Sequence, residues 1–140
     1  MFTQPLLFRL GMTWPAYYPE ECPPDDAADP DGEFYRFVKC DPPGAIDFLS
    51  NRELHPGMTY SDSAVECRSC ALSMIRDLSD VISMQQMVPG FRKRSVAIGT
   101  LQSEDGRIAH TPSQRCPSHH SWWIPETISE PWRLFRVVIL

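Results

Sequence analysis

The sequence predicts an α+β domain: a mainly antiparallel sheet with two to three short helices on one side. Two observations carry this. Aromatic and β-branched runs of strand length stand at 34–38, through 96–124 and at 134–140, whereas helical spacing is confined to the middle of the chain, between Asp41 and Met87. Strands and helices therefore segregate along the chain instead of alternating, the pattern of helices gathered on one face of an antiparallel sheet.

One domain spanning residues 1–140 is the expectation, since a hydrophobic fraction of 42% suffices for a core without disulfide staples. Residues 1–13 mix apolar and polar positions, as a short strand or docking arm would. The composition then changes. Residues 14–33, WPAYYPEECPPDDAADPDGE, hold five prolines and seven carboxylates with no basic residue, which reads as an acidic, Pro-rich surface loop. Trp14, Tyr17 and Tyr18 at its start suit an anchor or the lid of a pocket.

Order returns at 34–38, FYRFV, a strand. Asp41 followed by two prolines offers a helix start, with Ile46, Phe48 and Leu49 on one face and an end before His55-Pro56-Gly57. Ser63-Ala64-Val65-Glu66 matches a capping box, and Cys67, Ala71, Met74 and Leu78 continue from it as one helical stripe. A second helical stretch over 81–87 ends at Pro89-Gly90. Residues 96–101 and 107–111 flank a Ser-Glu-Asp-Gly turn and read as a hairpin. Next comes Ser118-His119-His120-Ser121-Trp122-Trp123, where strand alternation puts one histidine and one tryptophan on each face. Residues 134–140, LFRVVIL, read as a closing buried strand.

The totals narrow the function classes. No uncharged stretch of roughly 18 residues is present, so no membrane partner is expected, and without an export signal a cytoplasmic setting is. Five cysteines, an odd number, fit reduced thiols there. A formal charge of −5 makes nucleic acid an unlikely partner, with Arg92-Lys93-Arg94 the single basic run for a phosphate or a solvated strand entry.

Three constellations bear on chemistry. Cys67-x-x-Cys70 and Cys116-x-x-His119 have zinc-ligand spacing, although the first pair also fits buried core positions. As a redox pair it lacks the strand-to-helix junction that activates a thiol. The second is His110, Thr111, Ser118, His119 and His120 beside Trp122 and Trp123, in which imidazoles for proton or phosphate work adjoin flat indoles suited to a base. There is no Gly-x-Ser-x-Gly elbow, P-loop or Rossmann fingerprint.

The third is Tyr35 and Arg36 on the first confident strand, Ser50 after it, and a late Glu126 or Glu130. This layout resembles small ADP-ribosyltransferase-like proteins, in which an early strand presents Arg or His, a middle strand Ser or Tyr, and a late Glu meets the ribose. The resemblance implies a split sheet that clamps NAD, with Arg36 on the phosphates or ribose, Ser50 supporting, and Glu126 polarising the 2′-hydroxyl. The chain departs from that pattern in having neither a Ser-Thr-Ser triplet nor a Glu-x-Glu pair. A nucleotide cleft with Arg36, His119, His120 and Glu126 as catalytic groups, and Tyr35, Ser50, His110, Thr111, Ser118 and Trp122 binding the cofactor, is the leading reading. It makes the chain a transferase or an NAD glycohydrolase. The competing reading is a non-catalytic interaction module, inhibitor or immunity-type, whose acidic loop meets a basic protein partner.

Overall fold

The computed structural model describes residues 12–140. The strand or arm expected over 1–13 thus lies, except for Met12 and Thr13, outside the described residues. Ten regular elements follow in chain order: β1 (Gly32–Val38), α1 (Asn51–Leu54), α2 (Ser63–Ser69), β2 (Leu72–Ile75), α3 (Leu78–Met87), α4 (Pro89–Arg92), β3 (Ser95–Leu101), β4 (Arg107–His110), β5 (His119–Trp123) and β6 (Phe135–Val138), with 3₁₀ turns at Ala45–Phe48, Ser103–Asp105 and Pro131–Leu134. The strands form one six-stranded sheet in the order β4-β5-β2-β1-β3-β6, and every pairing is antiparallel. The predicted α+β class holds.

Four local expectations change. The helical stripe drawn through Cys67, Ala71, Met74 and Leu78 stops at Ser69. Residues 72–75 leave it to pair with β5 over four positions, Leu72 with Trp122 through Ile75 with His119. That helix is capped by Asp62, whose Oδ1 accepts the Val65 N–H at 2.9 Å, one residue before the expected Ser63. The predicted hairpin does not form either. β3 pairs with β1 and β6, while β4 lies at the far edge beside β5. Gly106 (φ 118°, ψ −138°) carries an extended chain under the Trp123 carbonyl, where a Cβ would collide, and so serves a crossover. Finally, the closing strand is an edge strand with Ile139 98% exposed, and of its apolar residues only Phe135 is buried.

Alternation along the strands separates two faces. One buries Phe34, Val38, Leu72, Met74, Ala97, Leu101, Ile108, Trp122 and Phe135, closed by Phe48 from the first 3₁₀ turn. The other carries two smaller clusters. Trp123 packs with Cys22, Ala27, Cys67 and Cys70 beneath α2, whereas Ile75, Val81, Val96 and Cys116 pack beneath α3. β5 distributes its residues as expected, His120 and Trp122 to the first face and His119 and Trp123 to the second.

The acidic loop is tied down at several points. Trp14 stacks on Tyr18 with ring centroids 6.0 Å apart, and Tyr17 and Tyr18 also line a cavity of about 210 Å³, so both the anchor and the pocket-wall alternatives stay open for these aromatics. Cys22 is disulfide-bonded to Cys67, which corrects the expectation of reduced thiols throughout. Farther on, Ala28 forms a β-bridge to Ile108 and Asp29 pairs with Arg107. The loop thereby covers the β4 edge, whose backbone groups are otherwise a template for another strand.

Candidate functional site

The sheet is continuous except at one place. β1 and β3 pair over seven positions, but β1 and β2 share only one, Tyr35 opposite Ile75. On either side of that pair the strands part, and an arginine fills each gap. Arg36 donates from Nη1 to the Ser73 carbonyl at 2.8 Å and from Nε to the Asp47 carbonyl at 2.8 Å, with its guanidinium over the Phe48 ring. Arg76 donates to the Glu33 carbonyl at 3.3 Å and lies 4.5 Å from the Phe34 ring centroid. Side-chain donors therefore replace backbone ladder bonds along this seam.

A cavity of about 310 Å³ opens at the Arg36 end of the seam, lined by Arg36, Phe37, Ser73, Ile75, Met84, Phe91, Arg94, Cys116 and His119. Its aromatic wall is the Phe37–Phe91 pair, stacked at 4.2 Å and 5°. Burial lowers the Arg36 pKa to about 10, against the opposing pull of Asp47, so the guanidinium stays charged at neutral pH. The Asp47 carboxyl is fixed behind it. Burial alone would raise its pKa, but N–H groups of Lys39 (2.6 Å) and Gly44 (3.0 Å), joined by Cys40, outweigh that and hold it below its ordinary value.

His119 brings a defined tautomer. Its Nδ1 is 2.9 Å from the Thr111 carbonyl, which can only accept, so Nδ1 carries the proton and Nε2 the lone pair. Thr111 Oγ1 stands 2.9 Å from the same nitrogen and 2.9 Å from Ser121 Oγ. Burial lowers the His119 pKa, helped by nearby His120, Arg68 and His110 and opposed by the Thr111 carbonyl, which keeps the ring neutral near pH 7.

The remaining predicted site residues disperse. His120 and His110 lie on the opposite face with rings 5.0 Å apart, donating to the Ser118 and Pro117 carbonyls. Tyr35 packs beside the α3 cluster, and the Ser118 hydroxyl accepts the Asp77 N–H near the start of α3. Trp122 is fully buried, with Nε1 donating to the Asp105 carbonyl at 2.7 Å. Ser50 caps α1 in a reciprocal pair with Glu53, and Glu126 sits on a separate cavity of about 210 Å³ beside Tyr17 and Tyr18. Neither lines the seam cavity. The zinc alternative loses its first pair because Cys67 is spent on Cys22, and no cluster of three or more metal-ligating side chains exists among the described residues.

Two residues escaped the sequence reading. Ser73 carries no sequence signal because the apolar positions of 72–75 continue the helical stripe, and Arg94 stands in a basic run that does not single it out. Comparison with known proteins finds no matching family model, no similar curated protein and no similar solved structure. No helix among the described residues is long and apolar enough to cross a membrane.

Proposed function

We propose that the chain binds NAD at the seam between β1 and β2 and acts as an ADP-ribosyltransferase-like or NAD glycohydrolase-like protein. The observation that carries this reading is the meeting of Arg36 from β1, Ser73 from β2 and His119 from β5 at one cavity where the sheet parts. That is the early, middle and late strand order of the resemblance, with Ser73 in place of Ser50 and His119 in place of Glu126. The residues present fit the group. Arg94 suits a phosphate, the Phe37–Phe91 wall suits a flat ring, and about 310 Å³ takes one nucleoside end of a dinucleotide, with Arg36 bracing the seam through the Asp47 and Ser73 carbonyls.

In the reaction the ribose C1′–nicotinamide bond breaks, its electron pair leaves on nicotinamide, and the oxygen of water or an acceptor bonds to C1′ and loses its proton. The neutral His119 accepts the 2′-hydroxyl proton at Nε2, which raises electron density on the ribose as positive charge develops. Arg94 holds a phosphate, while Arg36, bonded to the Asp47 and Ser73 carbonyls, fixes the parted strands that position the bond. The Cys22–Cys67 bond favours an oxidising compartment over the cytoplasmic one expected from the sequence.

An NMR titration with NAD, following the four histidine rings, tests the site. The His119 signal should shift and saturate while those of His110 and His120, on the other face, stay in place. Arg94→Ala removes a charge-assisted bond worth roughly 1.5–3 kcal/mol and should weaken binding by about 10- to 150-fold. An unmoved His119 at millimolar NAD would sink the reading, as would undiminished affinity in a folded Arg94→Ala protein.

One observation favours the interaction reading as well. The acidic segment presents exposed Glu20, Glu21, Asp25 and Asp26 on a loop that is already tied at Tyr18, Cys22 and Ala28, so little ordering entropy remains for a basic partner to overcome. Changing these four to Gln and Asn should abolish retention of the protein on an immobilised basic peptide at low salt. Unchanged retention would remove this surface from consideration.

A further inference from the structure

Three cysteines share one buried cluster on the α2 side of the sheet. Cys22 and Cys67 are bonded, while Cys70 is a free thiol in the same cluster. Helix α2 ends between Cys67 and Cys70 in a tight turn: the Cys70 N–H donates to the Cys67 carbonyl at 3.1 Å, an i to i+3 bond. In such a turn side chains three apart eclipse one another. Helical geometry separates their Cα atoms by about 5 Å, inside the window of about 4.4–6.8 Å that a disulfide needs. The third thiol is therefore one turn along the chain from Cys67 and in the same buried cluster as the disulfide, the arrangement from which exchange can start.

We propose that Cys22, Cys67 and Cys70 form a thiol–disulfide exchange centre, in which Cys70 displaces Cys22 from Cys67 and releases the acidic segment 19–27 from α2. The step balances without an outside oxidant or reductant. Cys70 gives its proton to solvent, and its sulfur attacks Cys67 Sγ. The Cys67–Cys70 bond forms as the Cys22–Cys67 bond breaks, and the electron pair leaves on Cys22, which takes up a proton.

The surroundings determine what moves. Cys67 is held to the sheet because Trp123 Nε1 donates to its carbonyl at 2.9 Å, so α2 stays and the segment bearing Cys22 departs. That segment remains tethered by the Trp14–Tyr18 stack at one end and the Ala28–Ile108 bridge at the other. It carries Glu20, Glu21 and Asp26, which with Arg68, His110 and the Trp123 ring line a cavity of about 580 Å³. Exchange opens that cavity on its acidic side. The centre is independent of the nucleotide reading, since none of the three cysteines lines the seam cavity.

The rate should climb with pH. Burial raises the Cys70 pKa to about 11, with Ser69 and Arg52 pulling it down and Glu66 and Glu53 pushing it up; Tyr17 and Tyr18 line the same cavity as Cys70 and are themselves raised, chiefly by burial. The thiolate is the attacking species, and below that pKa its fraction grows about tenfold per pH unit.

The experiment is native-state labelling of the reductant-free protein with N-ethylmaleimide from pH 7 to 9, followed by tryptic mapping without reduction. Trypsin cuts after Arg68, between Cys67 and Cys70, so the Cys67–Cys70 bond appears as two cross-linked peptides. The expected result is Cys22 labelled together with that cross-link, faster by about tenfold per pH unit, and at least about tenfold slower labelling of Cys22 in Cys70→Ala and Cys70→Ser. Three results would overturn the proposal: no Cys22 labelling in the wild type, equal labelling in both folded Cys70 variants, or a Cys22–Cys70 cross-link.

Discussion

Replacing Trp122 by alanine should cost about 3–5 kcal/mol of stability, because the indole is fully buried and its loss leaves a large void among Phe34, Leu72, Met74, Ile108 and Phe135. A second cost adds to the cavity. The Asp105 carbonyl accepts Trp122 Nε1 at 2.7 Å and would be stranded in a dry site. Trp122→Phe separates the two contributions, keeping most of the volume while removing the donor, and should lose distinctly less. Urea denaturation of the three proteins measures this. An alanine variant within about 1 kcal/mol of the wild type is incompatible with a core role and would return Trp122 to the ligand platform that its sequence neighbourhood suggests.

Why that neighbourhood misleads is instructive. The alternation His119, His120, Trp122, Trp123 is a period-2 signal, and it assigns residues to faces correctly, but it does not say which face is closed. Closure depends on Phe48 and Phe135, brought to Trp122 from remote parts of the chain. The four-residue run at 72–75 shows the complementary failure. Its apolar positions continue a helical stripe as readily as they start a strand, and only pairing with β5 decides for the strand. Since Ser73 lies on it, losing β2 meant losing the middle member of the seam.

Arg36 was legible because β1 has strong local strand character and an arginine amid aromatics stands out. The hairpin was misread for a related reason. Ser-Glu-Asp-Gly has turn residues, yet the 3₁₀ turn and the extended Gly106 send the chain across the sheet to its opposite edge. Turn chemistry fixes a local bend; strand order is set by which long-range pairing buries more. The disulfide is invisible to the cysteine count, because an odd total is satisfied equally by five free thiols or by one pair and three free thiols.

Cys22→Ser should lower stability by about 4 kcal/mol, the chain-entropy value for a crosslink spanning 45 residues. For a domain of this size that is a fall of roughly 10–15 °C in Tm, readable by calorimetry without reductant. Cys70→Ser supplies the contrast, since it leaves the crosslink in place and changes only a buried thiol; its loss should stay near 1 kcal/mol. The seam shares no residue with the disulfide cluster, so any His119 shift that NAD produces in the wild type should be reproduced in Cys22→Ser at temperatures where that variant is folded. Two departures are informative. A Cys22→Ser protein as stable as the wild type would mean that the loop is held by its aromatics and by Asp29–Arg107 instead of by the bond. Loss of the NAD response in a folded Cys22→Ser protein would mean that the acidic segment belongs to the nucleotide site, joining the two cavities that the wall of Thr111, His119 and Ser121 keeps apart.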